Sequence, residues 1–127
     1  MINPHADPGS DPADEWTHRI RQTVSRRNTI RGVLAEVWRE RDRQDEQWGE
    51  QNHPNGTGGA GHRAKAVDAR LRCQLAAELG LVSFRDILGE EVAEAFAESD
   101  PKALRAELIQ VAAVAVAWVE KLDREVQ

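Results

Sequence analysis

Two groups of acidic and amide side chains stand out in this chain: Glu90, Glu91 and Glu94, and then, after a twelve-residue gap, Glu107 and Gln110. In each group the residues three apart share a helix face, since an α-helix turns about 100° per residue. The neighbours make the placement unusual. Phe84, Ile87, Leu88, Val92, Ala95 and Phe96 form one broad apolar arc, with Glu91 inside it, Glu94 at its edge beside Ile87, and Glu90 turned towards the polar side. Leu104, Val111, Val114, Ala115, Trp118 and Leu122 form a second stripe, with Glu107 in its middle and Gln110 on its flank. Like charges in a half-buried place are costly unless something positive neutralises them. Oxygen ligands of this kind suit a hard cation, and Mg²⁺ would keep waters and a substrate phosphate in its remaining positions, with Mn²⁺ as a substitute. The competing reading is a solvated acidic face, or pairing with arginines of another helix. Two pairs facing each other inside apolar arcs favour the cation.

The elements that must position these groups can be read from their ends. Ser83 and Asp86 spell a capping box, with Asp in place of the commoner Glu or Gln, and predict a helix over 83–98. Ser99-Asp100-Pro101 then stops and restarts the chain: Asp100 suits an N-cap and Pro101 the first helical position. A second helix over 101–124 follows, antiparallel to the first because the link is short. The midpoint between the two Glu-containing groups falls in this turn, so they stand level in the hairpin.

Upstream, residues 1–15 combine prolines with acidic residues and predict a flexible tail. Residues 16–28 have helical propensity but few apolar positions, and read as a solvated helix or a basic arm carrying Arg19, Arg21, Arg26 and Arg27. Over 29–48 the periodicity sharpens to an amphipathic helix through Ile30, Val33, Leu34, Val37 and Trp38. Continued along that face come Arg41, Gln44 and Trp48, so the stripe turns from aliphatic to polar and aromatic, as at the entrance of a pocket. Residues 49–61 form a glycine-rich loop without the Lys-Ser/Thr ending of a P-loop. A packing helix over 62–79 follows, with Val67, Leu71, Leu75 and Leu79 four apart, Cys73 as a packing residue and Gly80 as the C-cap. Lys65, near its start, is placed to help the loop hold a phosphate.

Bulk properties exclude several classes. A single cysteine rules out an intramolecular disulfide and a Cys-rich zinc site. A net charge of −5 argues against a dedicated nucleic-acid binder, leaving such a role to the 19–31 segment alone. No apolar signal core precedes residue 15, and Leu108–Val119 is too short to span a bilayer. The expectation is therefore a cytoplasmic, all-α single domain without membrane contact. The 101–124 helix is apolar on nearly every side, through Val111, Val114, Val116 and Val119 among others, which a small domain has trouble covering alone. A homodimer or homotetramer is expected. A purely structural oligomer, however, leaves Glu91 and Glu107 unexplained.

The Glu91-x-x-Glu94 and Glu107-x-x-Gln110 pattern, with Glu90 ahead of it, resembles the metal motif of the all-α nucleoside triphosphate pyrophosphohydrolases of the MazG type. Glu40-Arg41-Asp42-Arg43-Gln44, Gln47-Trp48-Gly49-Glu50-Gln51 and His53-Pro54 look like the entry segment of MazG-like proteins, so the resemblance spans about residues 30–124. It implies an oligomeric bundle of four to five helices that hydrolyses an NTP or dNTP to the monophosphate and pyrophosphate. By carry-over Glu91, Glu94 and Glu107 would be Mg²⁺ ligands and the catalytic residues. Gln110 stands where the family motif has Asp; its carbonyl can ligate a hard cation but brings no charge, which lowers metal affinity or loses a second ion and leaves a degenerate, nucleotide-binding member as the alternative. Arg41 as a phosphate contact, with Gln44, Trp48 and Gln51 towards the base or sugar, extends the reading from placement.

Overall fold

The computed structural model describes residues 11–126, so the expectation for the first ten residues lies outside it. The described residues form four helices: α1 (Pro12–Trp48), α2 (Ala60–Glu78), α3 (Phe84–Ala97) and α4 (Pro101–Val126). No strand occurs among the described residues, in keeping with an all-α protein.

The start of α1 differs from the expectation of a tail to residue 15 and a separate arm over 16–28. One helix of 37 residues runs from Pro12 to Trp48. Its start is well signalled: the Asp11 carboxylate accepts from the Ala13 N–H at 3.0 Å, Pro12 occupies the first turn, and Asp14 and Glu15 face the positive end of the helix dipole. Nothing between Trp16 and Asn28 breaks a helix, so a scarcity of apolar residues there reduces packing without ending the element. Gly49, at φ 67°, closes it.

The hairpin of α3 and α4 follows its signals closely. Ser83 and Asp86 exchange both capping-box hydrogen bonds. Asp100 accepts from the Ala103 N–H at 3.1 Å at the head of α4. At the far end of the hairpin Phe84 stacks on Trp118, with centroids 5.7 Å apart and planes 9° from parallel. That contact fixes the register about the 99–101 turn.

The glycine-rich loop serves this hairpin. Thr57 Oγ1 donates to the Glu98 carbonyl at 2.5 Å and the Gly58 N–H to the Phe96 carbonyl at 2.9 Å, so the loop satisfies acceptors that the end of α3 leaves open. Gly58 is required there: its φ is +88°, and a Cβ would lie 2.8 Å from that of Ser99.

The helices follow one another in space as α2, α3, α4 and α1, each packed on the next; α1 touches neither α2 nor α3. Among the described residues only Val33, Ala95 and Leu104 are buried. Two members of the expected core stripes, Phe96 and Leu122, are about half exposed; Phe96 lies at the hairpin's edge against the His62 ring.

Candidate metal centre

The carboxylates of Glu91 and Glu94 on α3 and of Glu107 on α4 converge, each offering an oxygen within 4.8 Å of the others. Convergence follows from the hairpin register, which sets one turn of α3 opposite Glu107. All three residues are half-buried. Glu91 Oε2 and Glu107 Oε2 are buried and have no hydrogen-bond partner. Folded proteins seldom leave such atoms unsatisfied.

The electrostatics follow from that geometry. Burial, then the neighbouring Glu94, Glu107 and Glu90, push the Glu91 carboxyl above the ordinary glutamate value. Burial, then Glu94 and Glu98, do the same for Glu107, with Arg70 opposing. Both groups thus sit where a negative charge is disfavoured until a positive one arrives.

Arg70 of α2 is the positive group already present. Its Nη2 donates to Glu94 Oε1 at 3.0 Å, and its Nε stands 4.0 Å from Glu90 Oε1. It therefore answers Glu94 and leaves the buried oxygens of Glu91 and Glu107 unpaired. The periodicity reading did not single out Arg70. Its signal was available: Arg70 shares a face with Ala66, Ala69, Cys73 and Ala76, the small residues through which α2 approaches α3.

The same helix covers Glu90. Its side chain is 23% exposed, and it accepts from the Cys73 thiol, which that hydrogen bond, with burial, pushes up to about 11. Read on α3 alone it faces the polar side; α2 covers that side.

The other candidates are distributed. Gln44, Trp48 and Gln51 share a groove with Glu40, Gln47 and His53 at the end of α1. Arg41 stands beside it, its guanidinium donating to Gln44 and Asp45 of its own helix. None of the three clustered carboxylates lines that groove. Lys65 lies elsewhere, in a groove between α2 and the start of α3 with Arg72, Arg85, Asp86 and Glu90, on the side of α3 that carries Asp86 and Ala93 rather than Glu91. Gln110 is exposed, one turn beyond Glu107.

The chain matches no family model, and it has no significant match among curated proteins or solved structures. No helix among the described residues is long and apolar enough to cross a membrane.

Proposed function

We propose that the chain is a divalent-cation-dependent hydrolase of nucleoside triphosphates, releasing pyrophosphate and the monophosphate from an NTP or dNTP, in the manner of the MazG-like enzymes its motif resembles. The observation that carries the reading is the pair of buried, unpartnered oxygens, Glu91 Oε2 and Glu107 Oε2, within a three-carboxylate cluster. The donor set fits Mg²⁺ or Mn²⁺: hard, anionic and all oxygen. Glu91, Glu94 and Glu107 would hold the ion, with the Gln110 carbonyl as a neutral fourth donor. Bound there, such an ion supplies positive charge to the triphosphate and lowers the pKa of a water nucleophile. The residues around it have separable tasks. Arg70 holds one Glu94 oxygen and so orients that carboxylate. The Trp48 ring offers a stacking surface for a base, and the Gln44 and Gln51 amides offer hydrogen bonds beside it. Lys65, expected from the sequence as a phosphate contact, lies in a groove apart from the carboxylates, so Arg41 is left as the proposed phosphate contact and Arg70 as the cation at the cluster. The working unit is a homodimer or homotetramer, and the compartment is the cytoplasm.

A second reading has an observation of its own. Arg70 already neutralises Glu94, and Gln110 adds no charge, so a nucleotide-binding member without turnover also accommodates the site. One experiment separates the two: NTPs and dNTPs are offered with Mg²⁺ or Mn²⁺ while pyrophosphate is measured. Release that disappears in Glu91→Ala and in Glu107→Ala supports the enzyme. Nucleotide binding without release from any member of the set supports the degenerate reading.

A further inference from the structure

The first half of α1 takes no part in the cation site, yet it is the most strongly charged segment of the molecule. From Trp16 to Arg31 it carries five arginines and no acidic residue, in a chain whose net charge is −5. The rest of the molecule is thus more acidic still. Every residue from Trp16 to Asn28 is exposed, and the grooves that α1 shares with α4 begin at Ser25 and continue through Thr29 and Val33. Residues 16–24 extend beyond them as an arm of helix.

The arginines of this arm are free to meet a partner. Arg21, Arg26, Arg27 and Arg31 form no ion pair among the described residues. Arg19 forms one exposed pair, with Glu15 at 3.5 Å, of a kind worth little in water. Further along the same helix Arg41 and Arg43 are each held by a carboxylate one turn away. Arg19 lies roughly 9 Å along the axis from Ser25, about one Debye length at physiological salt, so the acidic body offsets its charge only weakly.

The arrangement of charge selects the partner. At about 100° per residue, Trp16, Ile20 and Val24 fall in one arc on the side away from Val33, which faces α4. Arg27 and Arg31 fall inside that arc, and Arg19 and Arg21 on its two flanks. A helix that lies on a lipid surface keeps its apolar and charged sides apart, and this one mixes them. Cations at the centre and on both flanks suit a groove walled by phosphates on either side. The major groove of B-form DNA, about 12 Å wide, admits an α-helix, whereas that of duplex RNA is narrow and deep. The basic residues of the arm are all arginine, whose planar fork bonds a phosphate or a guanine edge through two N–H groups at once.

We propose that residues 16–31 bind double-stranded DNA, lying in its major groove with Arg19 and Arg21 towards opposite phosphate walls and Arg27 and Arg31 towards the base edges. The arm shares no residue with the carboxylate cluster, so either holds without the other.

Fluorescence anisotropy of a short labelled DNA duplex of mixed sequence, titrated with the full chain over a series of salt concentrations, tests it. Wild type should bind, and log affinity should fall against log salt with a slope of about −3 to −4, as four phosphate-neutralising arginines require. Arg27→Gln/Arg31→Gln should weaken binding at least about tenfold and make the slope shallower by about 2, with helix content by circular dichroism retained. Lys102→Gln/Arg105→Gln, at the head of α4, removes the same charge and should change neither. If the Arg27/Arg31 variant loses helix content, Arg19→Gln/Arg21→Gln takes its place with the same expectation. Absence of binding at low salt overturns the proposal. So do equal losses in the arm variant and the α4 control, or tighter binding to duplex RNA or to vesicles of anionic lipid than to the DNA.

Discussion

Along the α3–α4 seam polar atoms sit without partners in a half-buried place, while along the outer faces of α1 and α2 apolar side chains stand open to water. Both regions are incomplete, in opposite senses. A buried oxygen is answered by positive charge or a donor, and an exposed leucine stripe only by apolar surface. The seam is also held much more firmly. Its register is set by the Phe84–Trp118 stack, its turn is capped by Asp100, and the 57–58 loop is fastened to the end of α3. The outer faces are fixed only by the helices that carry them.

Five substitutions break or sharpen that contrast. The largest effect belongs to the carboxylates: Glu91→Ala or Glu107→Ala should reduce pyrophosphate release more than about 100-fold with helix content by circular dichroism unchanged. Gly58→Ala should come next. It forces a side chain into the left-handed region and against Ser99, a destabilisation of about 1–3 kcal/mol, measurable by urea titration. It should loosen the seam while leaving the outer faces alone. Gln110→Asp adds a charge one turn from Glu107 and should tighten Mn²⁺ binding about tenfold, seen by calorimetry.

The smallest effect is a pH-dependent one. The Glu107 carboxyl is raised above its ordinary value of 4.5 in the folded chain. Its contribution to stability is therefore fully present below about pH 4.5 and lost as pH rises through the folded pKa. In chelator, Glu107→Gln should melt about 2–4 °C above wild type at neutral pH, with the difference closing in acid. Added Mg²⁺ should erase the advantage at neutral pH. A variant that melts below wild type at pH 7 in chelator would mean that the charge is already compensated.

The hairpin and its cluster were legible in the sequence because their determinants are local: a capping box, an Asp-Pro restart and a register that follows from a three-residue turn. Lone-helix periodicity placed Glu91 and Glu107 correctly for the same reason. It put Glu90 on the polar side of α3, but could not show that Arg70 and Cys73 of a helix distant in sequence cover that side. It also split α1, where the Asp11-Pro12 start was readable but the sparse apolar pattern suggested an arm. Lys65 is separated from the cluster for a similar reason, since its groove depends on how α2 lies across α3. The α2 stripe was read as packing; periodicity identifies an apolar face and not what covers it, and in the described residues Val67, Leu71, Leu75 and Leu79 stand exposed.

The central claim is that the orphaned oxygens of Glu91 and Glu107 form a cation site, and Mn²⁺ titration followed by electron paramagnetic resonance tests it most directly. Wild type should take up about one Mn²⁺ per chain, displaceable by Mg²⁺, and Glu107→Gln should lose that uptake while keeping its fold and its oligomeric mass. Equal uptake by the two proteins, or none by wild type, would contradict it.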